Sequence, residues 1–379
     1  MRWPWQKPPA PPPPKGPTID PVGDWNWVRA EPFGPDAGSA GPGTINWFVP
    51  PLGKGSGGHL TIFRFVSKLE AAGFECRVII CHDGNQVPEE HIKTNIDNWF
   101  FPLKARVFYH PQQEVPSAAI SVATGWQTAY PVKAFRGTRR RCYFVQDYEP
   151  WFYSPGSVSL FAEETYRFGF LGITAGDWIA EKLHRDFGMQ THPFGFSYDP
   201  EIYRPAPKLD DVPRIMFYAR PPTTRRAFEL GLLVLATLAQ RRPEIEICLA
   251  GWNLGNYIIP FKARSAGLLS FSELAALYTQ CDAALVLSLT NVSLLPLELM
   301  ACGCLVISNR GRNVEWLLDD EVALLADTRI DALVGAIEKA IDDVTFRKRL
   351  VSNGLRKAQA TSWNREAEKL AALFRELDS

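Results

Sequence analysis

The chain has 379 residues, 46% of them apolar and 22% charged, with 41 basic and 41 acidic side chains. That length suits two domains, each large enough for its own core, and the cancelled charge gives no electrostatic reason to expect nucleic acid as a partner. The seven cysteines form no C-x-x-C pair and sit mostly in apolar runs, which points to reduced thiols in the cytoplasm, and no apolar run of about 18 residues is present to span a bilayer.

The opening MRWPWQKPPAPPPPKGPTIDP lacks the apolar centre of a signal peptide, and its prolines cannot donate the hydrogen bonds of regular structure. An extended, polyproline II-like arm is expected over 1–40. Periodic patterning starts at Thr44. TINWFVPPL (44–52) reads as a strand, the glycine-rich turn GKGSGGH (53–59) leads into a helix closed by Gly73, and ECRVIIC (75–81) reads as the next strand. AAISVAT (118–124) and CYFVQ (142–146) are further apolar runs. SVSLFAEETYRF follows as a helix, FLGIT as a strand, and GDWIAEKLHRDFG as a helix capped by Asp177 and stopped by Gly188. HPFGFSYDPEIYRPAPKLDDVP reads as a connection between domains. A second set begins at RIMFYA (214–219), with strands EIEICLAG, DAALVLS (282–288), CLVIS and ALLAD alternating with helical patterns. The last segment, SWNREAEKLAALFREL, is an amphipathic helix with Trp363, Ala367, Leu370 and Phe374 at helical spacing.

Short apolar runs alternating with helices imply βαβ units and parallel, doubly wound sheets. The ligand of such sheets sits at the carboxyl ends of the strands, so a cleft between two halves is the expected site. Glu298 is the lone charge in SLLPLELMACGCLVIS, and burying an unpaired carboxylate costs several kcal/mol. It lies in an early helical turn after a strand, where it either accepts hydrogen bonds from sugar hydroxyls or is satisfied by backbone N–H groups. In QDYEP (146–150), Asp147 and Glu149 are candidates to orient or deprotonate an acceptor hydroxyl; alternatively, Asp147 caps the turn before Pro150. Gly53, Gly55 and Gly58 fit G-x-G-x-x-G, the pattern of a phosphate-cradling loop or of a nicotinamide dinucleotide site. For the latter, Cys81-His82 stands where an acidic residue is expected, although Asp83 follows. RGTRRR (136–141), read as a cluster before a strand, is either a solvated turn or a site for anionic headgroups or a pyrophosphate-linked acceptor.

LLPLELMACGCLVISN resembles the segment E-x-F-G-x-P-x-x-E-A-M-A-x-G-x-P-V-I of the GT-B retaining glycosyltransferases of the large family 4 type. Glu298 falls on the second Glu, Pro296 near the proline, and Met300, Ala301 and Gly303 on Met-Ala-x-Gly. The resemblance runs from Gly43 onward, and QDYEPWFY, EETYRFGFLGITAG, FYARPPTTRRAFELG and LSLTNVSLLPLELMACG resemble a bacterial rhamnosyltransferase-like branch. It implies an α/β GT-B fold: two doubly wound Rossmann-like domains facing a central cleft, an acceptor domain at 41–205 and a nucleotide-sugar domain at 206–362. The last helix, 363–379, would cross back to the first domain. It also implies transfer of a sugar, first of all L-rhamnose from dTDP-L-rhamnose, to a hydroxyl of a glycan or lipid-linked glycan.

By the same resemblance, Arg220 and Arg225 of FYARPPTTRR hold the donor diphosphate in place of a metal ion, with Arg226 as a neighbour, and no cofactor is expected. Fixed guanidinium groups stabilise the charge of a departing diphosphate. Gly57, Gly58, Trp252, Leu269, Thr290, Asn291 and Leu294 are carried over to the donor side, and His59 to the acceptor side beside Glu149. One departure stands out: Thr290 occupies the position of the family's first Glu, which puts the donor's identity in doubt. The expected setting is the cytoplasm, with peripheral association with the membrane or with other biosynthesis proteins allowed. A nucleotide-sugar epimerase and a catalytically silent glycan-binding scaffold are the alternatives.

Overall fold

The computed structural model describes residues 20–29, 40–81, 88–110 and 113–379. Most of the proline-rich arm, and His82-Asp83 of the dinucleotide alternative, lie outside them. Two wholly parallel sheets carry the chain. The first has seven strands: β1 (Thr44–Val49), β2 (Glu75–Cys81), β3 (Arg106–His110), β4 (Ala118–Ala123), β5 (Thr138–Val145), β6 (Leu171–Ala175) and β7 (Thr191–Phe194), in the order β3-β2-β1-β4-β5-β6-β7. The second has six: β8 (Arg214–Tyr218), β9 (Glu246–Ala250), β10 (Arg264–Gly267), β11 (Ala283–Val286), β12 (Leu305–Asn309) and β13 (Ala323–Ala326), in the order β10-β9-β8-β11-β12-β13. In each, the order reverses beside the first strand, and that reversal opens a crevice at the strand ends.

The central strands read as unbroken apolar runs because helices cover both faces of a parallel sheet. All six residues of β1 and all six of β4 are buried. The expected doubly wound halves are therefore present. Three strands go unannounced in the sequence reading, two of them without an apolar run and β3 with one of only three residues. In β7 the edge position admits Pro193, and the first three residues of what reads as a connection, His192 to Phe194, join the sheet. The short β10, RSAG, is half-exposed at the other sheet's edge, and β3 lies at the far edge of the first.

Two local readings need correction. Asp177 is the first residue of its helix and not its cap; Gly176 holds the cap with φ of 85°, and a Cβ there would meet the Trp316 ring at 2.6 Å. The basic cluster RGTRRR does not precede a strand, because β5 already begins at Thr138. Its cations serve the fold. Arg141 donates to the carbonyls of Val132 and Phe135 at 3.0 and 2.8 Å, Arg140 donates to that of Leu377, and Arg139 pairs with Asp378. Arg139 and Arg140 thus meet the carboxyl end of the last helix, Trp363–Asp378, where cations complement the dipole. That helix lies on the first sheet's side: Phe374 packs on Trp47 and Phe74, and Trp363 on Phe65.

Candidate functional site

The carboxyl ends of β1, β4, β5, β8 and β11 converge on a cavity of about 540 Å³ between the two halves. From the first half, Gly57, Gly58 and His59 reach it at the start of the helix Gly57–Ala71, and Asp147 and Glu149 follow β5. From the second half come Arg220, Arg225 and Arg226 after β8, and Leu294 and Glu298 at the helix Leu295–Ala301. Ten of the residues expected at the site are thereby brought together.

Arg220 and Arg225 differ in what they already hold. Arg220 is half-buried at the end of β8, its guanidinium 5.9 Å from the Trp252 ring, and its buried Nε has no hydrogen-bond partner. A buried donor without a partner costs about 1–3 kcal/mol. Across the cavity, a Cβ added to Gly57 would meet nothing within 4 Å, so the backbone there is open to close approach. Arg225 is committed: its Nε donates to Asp147 Oδ2 at 3.1 Å and its guanidinium stacks on Phe152 at 4.0 Å. Burial lowers the Arg226 guanidinium to about 10, with Arg225 and Arg220 adding repulsion, and its Nη1 donates to Ser288 Oγ and to the Asn291 carbonyl. The turn bearing both arginines ends on Ala227 at φ of 49°, the one non-glycine residue with positive φ among those described. A left-handed conformation costs an alanine roughly 1–2 kcal/mol.

Asp147 is saturated. Oδ1 accepts from the Tyr148 and Asn291 N–H groups at 2.9 and 2.8 Å, and Oδ2 from Thr290 Oγ1 at 2.9 Å as well as from Arg225. Thr290 and Asn291, expected to contact the donor, do not line the cavity. They face the first half instead. Asn291 Nδ2 donates to the carbonyls of Gln146 and Ala175 at 3.0 and 2.9 Å, and its Oδ1 accepts from Trp316 Nε1 at 2.8 Å. This joint satisfies every polar atom of the Asn291 side chain, the condition for burying one.

Glu298 sits among tyrosines. Burial pushes its carboxyl up to about 7, opposed by a hydrogen bond from Tyr203 and the more distant Arg64 guanidinium, and reinforced by Asp199. Asp199 is itself held bidentately by Arg64 at 2.6 and 2.7 Å. Tyr203 stacks on Tyr278 at 6.1 Å, and the buried Tyr278 hydroxyl has no partner. Glu149 is likewise pushed up to about 7 by burial, against hydrogen bonds from the Trp126 N–H at 2.7 Å and the Tyr143 hydroxyl at 3.0 Å. The His59 ring packs against both Phe63 and Phe100 and is bonded to Ser56 Oγ at 2.9 Å; burial lowers its pKa. Trp252 stands behind Arg220 rather than on the cavity wall, and Leu269 lines a separate cavity beside helix Phe271–Gln280. The sequence reading did not single out Tyr203, which lies in the segment read as a connection, or Tyr218 and Tyr278, which lie in a strand and a helix.

Residues 213–338 match the family described as WsaF, C-terminal domain. Over 338 residues the chain is 32% identical to the O-antigen biosynthesis protein RfbC of Myxococcus xanthus, a match covering 86% of this chain and 26% of that protein. The chain spans about a quarter of the length of that curated relative. Among solved structures, sucrose-phosphate synthase from Thermosynechococcus elongatus superposes with a TM-score of 0.70 at 16% identity, covering 88% of this chain and 98% of that one. HepE of Anabaena in complex with UDP-glucose gives 0.68 at 16% identity, covering 88% and 99%. The fold is GT-B: two Rossmann-like α/β halves facing one cleft.

Proposed function

We propose that the chain is a metal-independent glycosyltransferase of surface-polysaccharide synthesis, moving a sugar from a nucleoside diphosphate to a glycan hydroxyl in the cytoplasm. The observation that carries this reading is Arg220, a cation at a strand end in the cleft with a buried, unpartnered Nε. An anion with oxygen acceptors is what that site lacks. RfbC's role in O-antigen synthesis and the UDP-glucose bound to HepE support the same class, whereas the epimerase and scaffold readings gain nothing from them.

In this reading Arg220, opposite the open backbone at Gly57, takes the growing negative charge of the diphosphate. Arg225 joins it only as far as its bond to Asp147 allows. Glu298, held by Tyr203, accepts a hydroxyl of the donor. On the acceptor side Glu149 takes over from the saturated Asp147 and orients the incoming hydroxyl. A retaining course, with the departing diphosphate oxygen taking the acceptor proton, needs no second free carboxylate. L-Rhamnose is the first donor sugar to test, on the likeness to the rhamnosyltransferase-like branch; the Thr290 hydroxyl, turned to Asp147, takes no part in that choice. The test is release of nucleoside diphosphate from dTDP-L-rhamnose, UDP-glucose and GDP-mannose, with and without surface polysaccharide. Release from one donor, increased by polysaccharide, is expected; release from none would refute the proposal.

A further inference from the structure

The segment from Asp20 to Arg29 lies between two stretches rich in proline and glycine and folds into one short helical turn, Pro21–Trp25, followed by a 3-10 turn, Asn26–Arg29. What it offers the rest of the molecule is two tryptophans. Trp25 stacks on Trp126 at 6.4 Å with 11° between the planes and contacts Phe161 at 5.4 Å. Trp27 meets Trp126 at 5.6 Å and the edge of Tyr130 at 5.4 Å. These rings leave Trp126 only 2% exposed.

Trp126 is also part of the cleft. It opens the helix Trp126–Ala134, its backbone N–H donates to Glu149 Oε2 at 2.7 Å, and its indole N–H donates to the Tyr153 hydroxyl at 3.0 Å. Trp126, Glu149 and Tyr153 all line the cavity. One face of the ring is therefore braced by the N-terminal segment while its N–H groups hold two cleft residues. A turn this short has too little hydrogen bonding to order itself, so the aromatic contacts hold the segment and the wall together. Edge-to-face and offset aromatic pairs also fix ring orientation beyond simple burial.

We propose that Asp20–Arg29 is a strap for the acceptor-side wall, in which Trp25 and Trp27 position Trp126 and, through its N–H, the Glu149 carboxylate. The role assigned to Glu149 rests on the glycosyltransferase reading; the bracing itself does not. Trp27 is a positioning residue and touches no substrate.

The test uses the full chain, the double variant Trp25→Ala/Trp27→Ala and the conservative Trp27→Phe. Backbone hydrogen exchange is read over 125–134, and calorimetry is run with UDP, dTDP and GDP. The double variant is expected to exchange about tenfold faster at 125–134, with diphosphate affinity held within about twofold, because the strap's ring contacts are to Trp126, Tyr130 and Phe161 and not to Arg220 or the Gly57 turn. Trp27→Phe, which keeps an aromatic ring against Tyr130, restores slow exchange. Unchanged exchange in the double variant would overturn the strap. So would faster exchange across both sheets with loss of diphosphate binding, which would mark a general folding role. If the native chain bound none of the three diphosphates, the glycosyltransferase reading would fall, and the exchange result would still decide the bracing.

Discussion

The cleft contains two groups of polar residues of similar composition and opposite fate. At the joint, Asp147, Thr290, Asn291 and Arg225 spend their hydrogen bonds on one another and on backbone carbonyls of the first half. At the open wall, a few residues away in sequence, Arg220 Nε and the Tyr278 hydroxyl are buried without partners, and Glu298 is held by a single tyrosine against a strong burial penalty. A satisfied network fixes geometry, while an unsatisfied one stores free energy that a ligand can release. In the proposed function the joint is a structural device and the wall a binding device, although both carry arginine, acid and amide or hydroxyl groups.

The sharpest way to break this contrast is to remove one member of each group. Arg220→Ala should weaken diphosphate binding by roughly 30-fold to 1000-fold, equivalent to about 2–4 kcal/mol, with little change in melting temperature. Asn291→Ala should do the reverse. It leaves two first-half carbonyls and the Trp316 N–H without their partner, so a stability loss of about 2–4 kcal/mol is expected, measured by denaturant unfolding. A variant that behaved like its opposite number would erase the distinction.

Acidity sharpens it next. Glu298 and Glu149 are both raised from 4.5 to about 7, so the folded state keeps protons that the unfolded chain has released. Their contribution to stability is fully present below about pH 4.5, is lost as the pH rises toward 7, and is constant above that. Each accounts for on the order of 3 kcal/mol. Relative to the native chain, Glu149→Gln/Glu298→Gln should therefore gain stability between pH 5 and 7.5, seen as a flatter profile of unfolding free energy. A double variant that kept the native slope would contradict the assignment. The smallest effect is reserved for Leu269→Ala: lying in the separate cavity, it should change diphosphate affinity by less than about twofold.

The sequence made the wall more legible than the joint, for physical reasons. Glu298 announced itself as a lone charge in an apolar run, a local signal, and Arg220 through the resemblance of FYARPPTTRR, a contiguous motif. Asn291 hydrogen-bonds Gln146 and Ala175, 145 and 116 positions away, and no local pattern encodes such a partner. Thr290 shows the same limit: its hydroxyl is aimed by tertiary packing at Asp147, across the cleft. The doubly wound halves were readable from apolar runs alternating with helices, yet β3, β7 and β10 were missed. β7 and β10 are short and only partly covered, so their sequences carry neither a buried run nor a clean alternation, whereas β3 has a buried run of only three residues, Val107 to Tyr109.

The central claim is that the open wall, led by Arg220, receives a nucleoside diphosphate. Calorimetric titration of the native chain, Arg220→Ala and Arg225→Ala with UDP, dTDP and GDP tests it most directly. The account predicts that one diphosphate binds, that Arg220→Ala loses most of that affinity, and that Arg225→Ala loses less because Arg225 is already engaged with Asp147. Binding unchanged in Arg220→Ala, or no binding of any diphosphate to the native chain, would contradict it.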